Sequence, residues 1–344
     1  MRSQPGFFDL SERYESLSEH NDPLEKLNEA IDWSIFVPLL RRGLKKRSKG
    51  RSGRKGFPLL LMFKILVLQS LYNLSDEQAE YQIRDRLSFM RFLGLSFEDK
   101  VPDEKTIWLF REKLREANLY EKLFKQFDGY LHKQGYCARK GTVVDASLMP
   151  ARIQRNNDDE TAVIKEGCVP VDWMKRPHKM AQKDLNARWV MKDRRAMFGY
   201  KDHVAIDVEH KLIRAYEVTD AALHDSHCLP GLVKRTNNTS RKVYADRAYR
   251  DHGNRDWLLK HGYERCIPHQ RAPRGSLTVD QKRYNKRVSR TRIRVEHVFG
   301  FMKQSMHQRL IRSVGMARAR AKIGLMNLVY NLCRYEQLQR ASCT

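Results

Sequence analysis

Three carboxylates, far apart in the chain, have the surroundings that phosphoryl-transfer chemistry requires. Asp145 closes a short apolar run in GTVVDASLM, and Asp246 does the same in RKVYADRAYR. A carboxylate at the C-terminal end of a strand in an α/β sheet sits at the edge where sites form. Asp also ends strands for reasons of turn chemistry alone, so neither position decides the matter by itself. Glu296 is more unusual. Within residues 281–335 it is the only acidic residue, among fourteen Lys or Arg. Arg292, Glu296 and Lys303 are spaced to share one helix face, a ligating carboxylate flanked by cations that could hold phosphate. The plainer account is a surface ion pair between Arg292 and Glu296, worth little. Three carboxylates meeting at one sheet edge would hold Mg²⁺ or Mn²⁺ through oxygen. A pair of such ions about 3.5–4 Å apart activates the attacking oxygen and steadies the leaving one, so no nucleophilic side chain is needed. Asp225, in the turn LHDSH, is the reserve candidate for the third ligand.

The elements that would position these groups change character near Gly141. Residues 142–144, 200–208, 212–218, 242–245 and 263–268 read as strands; in 200–208, His203, Ala205 and Asp207 alternate with Val204, Ile206 and Val208. Helices fall at 226–235 and 254–261, and the portion from about 280 to 340 is helical. Three strands, a helix, a strand, a helix, a strand and a closing helix give the order of a ribonuclease-H-like α/β fold. A charged stretch, about 151–198, interrupts it as an insertion. Before Gly141 the chain reads as helices. Residues 57–72 form an apolar core helix, Ser75 and Gln78 a capping box, and Ile107, Phe110 and Leu114 the buried side of another helix. Short helices beside a basic arm suggest a helix-turn-helix-like DNA-binding domain. The expected division is therefore 1–56 as an N-terminal segment with a basic arm, 57–138 as the helical domain and 139–344 as the catalytic domain.

Composition narrows the partners. Lys and Arg number 66 against 41 Asp and Glu, a formal charge of +25 over 344 residues. Such an excess repels itself unless a polyanion neutralises it. It is densest in 41–55, RRGLKKRSKGRSGRK, with nine Lys or Arg in fifteen positions; Arg41, Arg42, Lys45, Lys46 and Arg47 are expected to meet phosphates. Six cysteines without a C-x-x-C pair argue against a zinc ribbon or a disulfide framework and suit a reducing cytoplasm. The N-terminal stretch lacks the pattern of a signal peptide, and the 57–72 run is interrupted by Lys64 and Gln69. His224, Asp225, His227 and Cys228 cluster without a second pair at zinc spacing, and His252 with Arg255 makes an H-x-x-R match that arises easily by chance in a chain this basic.

At these residues the sequence resembles the DDE transposases of bacterial insertion sequences, the group marked by Y-x2-R-x3-E-x6-K and, within it, the insertion-sequence-five group. Arg292, Glu296 and Lys303 fit that spacing, while the tyrosine position holds Ser289. FPLLLMFKILVLQSLYNLSDEQAEYQIRDRLSFMRFLGLS and VPDEKTIWLFREKL resemble the family's N-terminal helical region. DLNARWVMKDRRAMFGYKDHVAIDVEHKLI, TDAALHDS and YADRAYRD resemble its catalytic core. The resemblance implies that Asp145, Asp246 and Glu296 form the catalytic triad of a ribonuclease-H-like core and bind Mg²⁺ or Mn²⁺, two per site. It implies cutting at terminal inverted repeats, joining of the freed 3′-OH ends to target DNA, and a homodimer or larger assembly on double-stranded DNA. The setting it implies is a bacterial cytoplasm, associated with the nucleoid. Two other expectations compete: a non-catalytic DNA-binding regulator derived from a transposase, and a ribonuclease-H-like nuclease acting on RNA.

Overall fold

The computed structural model describes residues 9–44, 56–192, 194–236, 238–271 and 275–343, and two compact units. Lys45, Lys46 and Arg47 lie outside the described residues.

The first unit comprises residues 1–134 and 328–344. Its helices are α1 (Asp9–Glu19), α2 (Pro23–Ala30), α3 (Val37–Gly43), α4 (Leu59–Tyr72), α5 (Asp76–Asp85), α6 (Leu87–Leu93), α7 (Glu104–Glu116) and α8 (Leu119–Lys133). Local chemistry sets several of the boundaries. The Asp22 carboxylate accepts from Leu24 N–H at the start of α2, Ser75 and Gln78 form the expected capping box, and Asp103 caps α7. Helix α4 ends where Asn73 turns left-handed, at φ 52°. The N-terminal residues are more than an arm. Phe36, in the 3₁₀ turn Trp33–Phe36, is fully buried, with its ring 4.9 Å from Phe63 and 6.1 Å from Phe127. Arg91 reaches back from α6 to Asp22 at 2.6 Å and to Glu25 at 3.0 Å. Residues 9–44 of the segment expected at 1–56 thus pack as part of the first unit, because Leu24, Leu27, Trp33, Phe36 and Leu40 supply apolar area that only burial satisfies. Arg41 and Arg42 end α3 exposed.

The second unit comprises residues 135–327. It contains β1 (Thr142–Pro150), α9 (Asp158–Lys165), α10 (Val171–Met174), α11 (Pro177–Gln182), β2 (Arg188–Lys192), β3 (Arg195–Asp207), β4 (Ile213–Asp220), α12 (Leu229–Lys234), β5 (Lys242–Tyr244), α13 (His252–Lys260), β6 (Glu264–Cys266) and α14 (Val279–Gln304). Helix α15 (Met316–Cys343) starts in this unit, and its residues from 328 onward belong to the first. Compactness thus groups residues 135–327, and places residues 328–344 with the first unit. The six-stranded sheet has the order β2-β3-β1-β5-β6, with β4 also on β3. Strand β3 is antiparallel to β1, β2 and β4, whereas β1, β5 and β6 are mutually parallel. The alternation of strands and helices expected from sequence is present. The charged insertion adds α9 to α11 and one strand, β2, which forms a hairpin with β3.

Strand β1 runs further than its apolar start suggested. It pairs with β3 down to Pro150 opposite Gly199, so Asp145 lies inside the strand and not at its end. A Cβ at Gly199 would stand 2.3 Å from the Met149 carbonyl oxygen, so only glycine allows β3 to pass there. The parallel partner β5 stops at Tyr244, opposite Val143. Asp145 and Asp246 each lie two residues beyond that last parallel pair, and so still meet at the carboxyl edge of the parallel strands.

Candidate active site

Asp145 is held from two sides. One carboxylate oxygen accepts from the Ala146 N–H at 2.9 Å, and the other from the Arg292 guanidinium at 3.0 Å. Only 16% of its side chain is exposed. Burial raises its pKa to about 6; the Ala146 N–H and the Arg292 charge work against that rise, and the Asp246 and Asp225 charges add to it.

Asp246 follows β5 and caps the 3₁₀ turn Arg247–Tyr249, accepting from Ala248 N–H at 2.8 Å. Asp225 opens another 3₁₀ turn, Asp225–Cys228, and forms an ion pair of 2.7 Å with Lys201, whose ammonium also donates to the Leu223 carbonyl. Asp145, Asp225, Asp246, Lys192 and Lys201 line one cavity of about 240 Å³. Sequence reasoning missed Lys192 and Lys201. Lys192 ends β2 within the insertion and Lys201 lies on β3 just after it, and nothing in their spacing marks them.

Glu296 reaches this cluster through one side chain. Helix α14 buries Val288, Val295, Val298, Phe299 and Met302 and packs on β1 and β5. Glu296 itself is 57% exposed. The Arg292 fork donates to Asp145 with one arm and to Glu296 with the other, the latter at 3.4 Å. A surface pair would account for the Glu296 arm alone. The link to a buried carboxylate on the sheet ties α14 to the cavity. Arg292, expected on phosphates, here neutralises two carboxylates. Lys303 is exposed on the same helix, and desolvation and then the Lys192 charge lower its pKa. Ser289 is exposed.

The three acidic side chains lining the cavity offer carboxylate oxygens, the chemistry that a hard divalent cation takes, beside the ammonium groups of Lys192 and Lys201. Asp145 is ionised at neutral pH against the cost of burial and beside two other acids, and added positive charge would relieve that. In donor chemistry the residues fit such an ion. They are not preassembled: among the described residues no three His, Cys, Asp or Glu side chains already stand close enough to hold a metal. The other motifs noted in the sequence remain apart. His224 bonds the Ser226 hydroxyl through Nδ1, and His252 and Arg255 are both exposed on α13. Among the described residues no single helix is long and apolar enough to cross a membrane.

Comparison with known proteins places this geometry in context. A family model described as Transposase domain (DUF772) matches residues 12–113, and one described as Transposase DDE domain matches residues 136–332. Among solved structures, the cryo-EM structure of the piggyBac transposase synaptic complex with hairpin DNA is similar at 13% identity over 93% of this chain and 76% of that one. Its TM-score of 0.45 is too low to bear on the site.

Proposed function

This chain belongs to the DDE transposase family, and we propose that it cuts DNA at the ends of its own element and joins the freed ends to target DNA. The observation that carries the reading is the convergence of Asp145 and Asp246 on one cavity, with Glu296 tied to Asp145 through Arg292. In this reading Asp145, Asp246 and Glu296 hold the divalent cations, Mg²⁺ or Mn²⁺, two per site, in a ribonuclease-H-like core. When bound, such ions polarise the scissile phosphate and lower the pKa of an attacking water or hydroxyl.

The chain's own residues have separate duties. Lys192 and Lys201 give the cavity lining a positive charge suited to a phosphodiester, and Lys303, exposed two turns beyond Glu296 on α14, offers a further phosphate contact. Arg292 can fork onto a phosphate as readily as onto carboxylates, so DNA and the two acids compete for one guanidinium. Cleavage consumes water: its oxygen bonds to phosphorus, the bond from phosphorus to the 3′ oxygen breaks, and a 3′-OH is released. Joining repeats the exchange, with that 3′-OH attacking a target phosphate and displacing the target's own 3′ oxygen. The partners are double-stranded DNA carrying terminal inverted repeats, target DNA, and a second copy of the chain or more.

The test is strand cleavage by the full chain on duplex DNA bearing the element's ends, with Mg²⁺, with Mn²⁺ and with chelator. Metal-dependent nicking at the ends that is abolished in Asp145→Asn and Asp246→Asn supports the reading. Tight binding to those ends without cleavage under any metal would make the chain a DNA-binding regulator instead. Preferential cutting of RNA or hybrids would make it a nuclease of another kind.

A further inference from the structure

Glu296 is more than half exposed on α14, whereas Asp225 belongs to the cavity lining itself. The turn that carries Asp225 is anchored from beneath. Cys228 is buried, and the Ser226 carbonyl accepts from Asn254 Nδ2 at 3.0 Å. His224 caps the turn, so the Asp225 carboxylate has no such duty there. Its partner is the Lys201 ammonium, at 2.7 Å. With side chains only 13% and 27% exposed, Lys201 and Asp225 are not a freely solvated surface pair.

Lys201 stands on β3 opposite Leu148 of β1, and both line the cavity. Its ammonium is held at two points, Asp225 and the Leu223 carbonyl, each at 2.7 Å. Lys192 lines the same cavity from the end of β2 and forms no ion pair among the described residues. A sphere of the cavity's 240 Å³ is about 8 Å across. Two divalent ions about 3.5–4 Å apart, with oxygen ligands about 2.1 Å beyond each, span the same length. Lys201 thus brings a single positive charge into a space that has the acids and the size for divalent ions.

We propose that Lys201 stands in for a divalent cation beside Asp225 in the metal-free chain, and that Asp225 is a further metal-holding acid. The inference rests on the reading of Asp145 and Asp246 as metal ligands. Entry of the ion exchanges one cation for another at Asp225, and no proton moves. The flexible four-carbon stem of Lys201 makes the movement, because the anchored turn of Asp225 cannot. The released ammonium is then free to meet a phosphodiester. Lys201 therefore gains its phosphate contact only after the metal is in place.

The experiment is Mn²⁺ binding to the DNA-free full chain, read by the electron paramagnetic resonance of free Mn²⁺. Lys192→Met gives the effect of losing a cavity charge that pairs with no acid. Lys201→Met should bind Mn²⁺ about 10-fold or more tighter than the wild type, and tighter than Lys192→Met, since a unit charge within about 5 Å of a divalent ion weighs that much. Asp225→Asn should bind about 10-fold or more weaker than the wild type. A Lys201→Met affinity no higher than that of Lys192→Met overturns the stand-in role. An Asp225→Asn affinity equal to the wild type's, while Asp145→Asn and Asp246→Asn lose the metal, overturns the place of Asp225 and leaves the ligand reading intact. If Asp145→Asn and Asp246→Asn bind Mn²⁺ normally, the ligand reading itself fails. Should Asp225→Asn melt lower in chelator, Lys201→Met/Asp225→Asn decides, because it removes the pair together and strands no charge. It should bind about 10-fold or more weaker than Lys201→Met, and equal affinity overturns the proposal.

Discussion

Asp145 should make the protein less stable than it would be with a neutral side chain in its place. Its pKa lies at about 6 in the folded chain against 3.8 for the free group. At about 1.4 kcal/mol per tenfold change in proton affinity, that gap is worth about 3 kcal/mol. The sign follows from linkage. Between the two values the folded state holds the proton more tightly than the unfolded chain, so stability falls as pH rises through this window. The penalty is absent below the lower value and complete above the upper one. Arg292 is already included, since its charge opposes the rise. Asp145→Asn fixes a neutral group of the same shape, and at pH 7.5 in chelator it should gain about 1–3 kcal/mol, seen as a melting temperature higher by a few degrees. At pH 4 the two proteins should melt together. Calorimetry of both full chains across that range is the assay. Millimolar Mg²⁺ should then raise the melting temperature of the wild type and leave the Asn variant unmoved. An Asn variant that is no more stable at pH 7.5, or one whose gain is the same at pH 4, would refute the reasoning.

Three further outcomes are expected. Glu296→Gln should lower metal-dependent cleavage by orders of magnitude while DNA affinity holds or rises slightly, measured by nicking and by filter binding; full cleavage would move the third ligand to Asp225. Phe36→Ala should destabilise the helical unit by about 3–5 kcal/mol in a denaturant titration, because Phe36 is wholly buried against Phe63 and Phe127; a negligible loss would return residues 1–56 to the status of a separate arm. Binding to duplex DNA should weaken steeply between 50 and about 200 mM salt as counterion release dictates, and a flat salt response would contradict phosphate contact as the main source of affinity.

What was legible in the sequence was local. The alternation through His203, Ala205 and Asp207 marked β3, the Ser75 capping box marked α5, and the run before Asp246 marked β5. Groups whose meaning depends on distant partners were not legible. The second half of β1 is a strand because β3 pairs with it, so the place of Asp145 within it could not be read from 142–150 alone. Arg292 pairs with a residue 147 positions away, which no helical spacing reveals. Trp33, Phe36 and Leu40 fall in short, unlike segments, and their common buried face exists only after packing.

The route of α15 bears on how the chain is made. The helical unit is built from residues 1–134 and from 328 onward, so it lacks part of itself until residues 135–327 have been synthesised. At about 5–20 residues per second a ribosome needs roughly 10–40 s for that stretch, far longer than a helical unit needs to fold. During that wait Phe127 and Tyr130 lack Tyr335, whose ring they meet edge-on in the finished protein at 6.0 and 5.8 Å. A chain stopped early by a nonsense or frameshift lesion would keep that apolar seam open and be exposed to proteolysis. A helical unit in finished form therefore requires that the ribosome has already passed through residues 135–327 in the reading frame that encodes the end of α15.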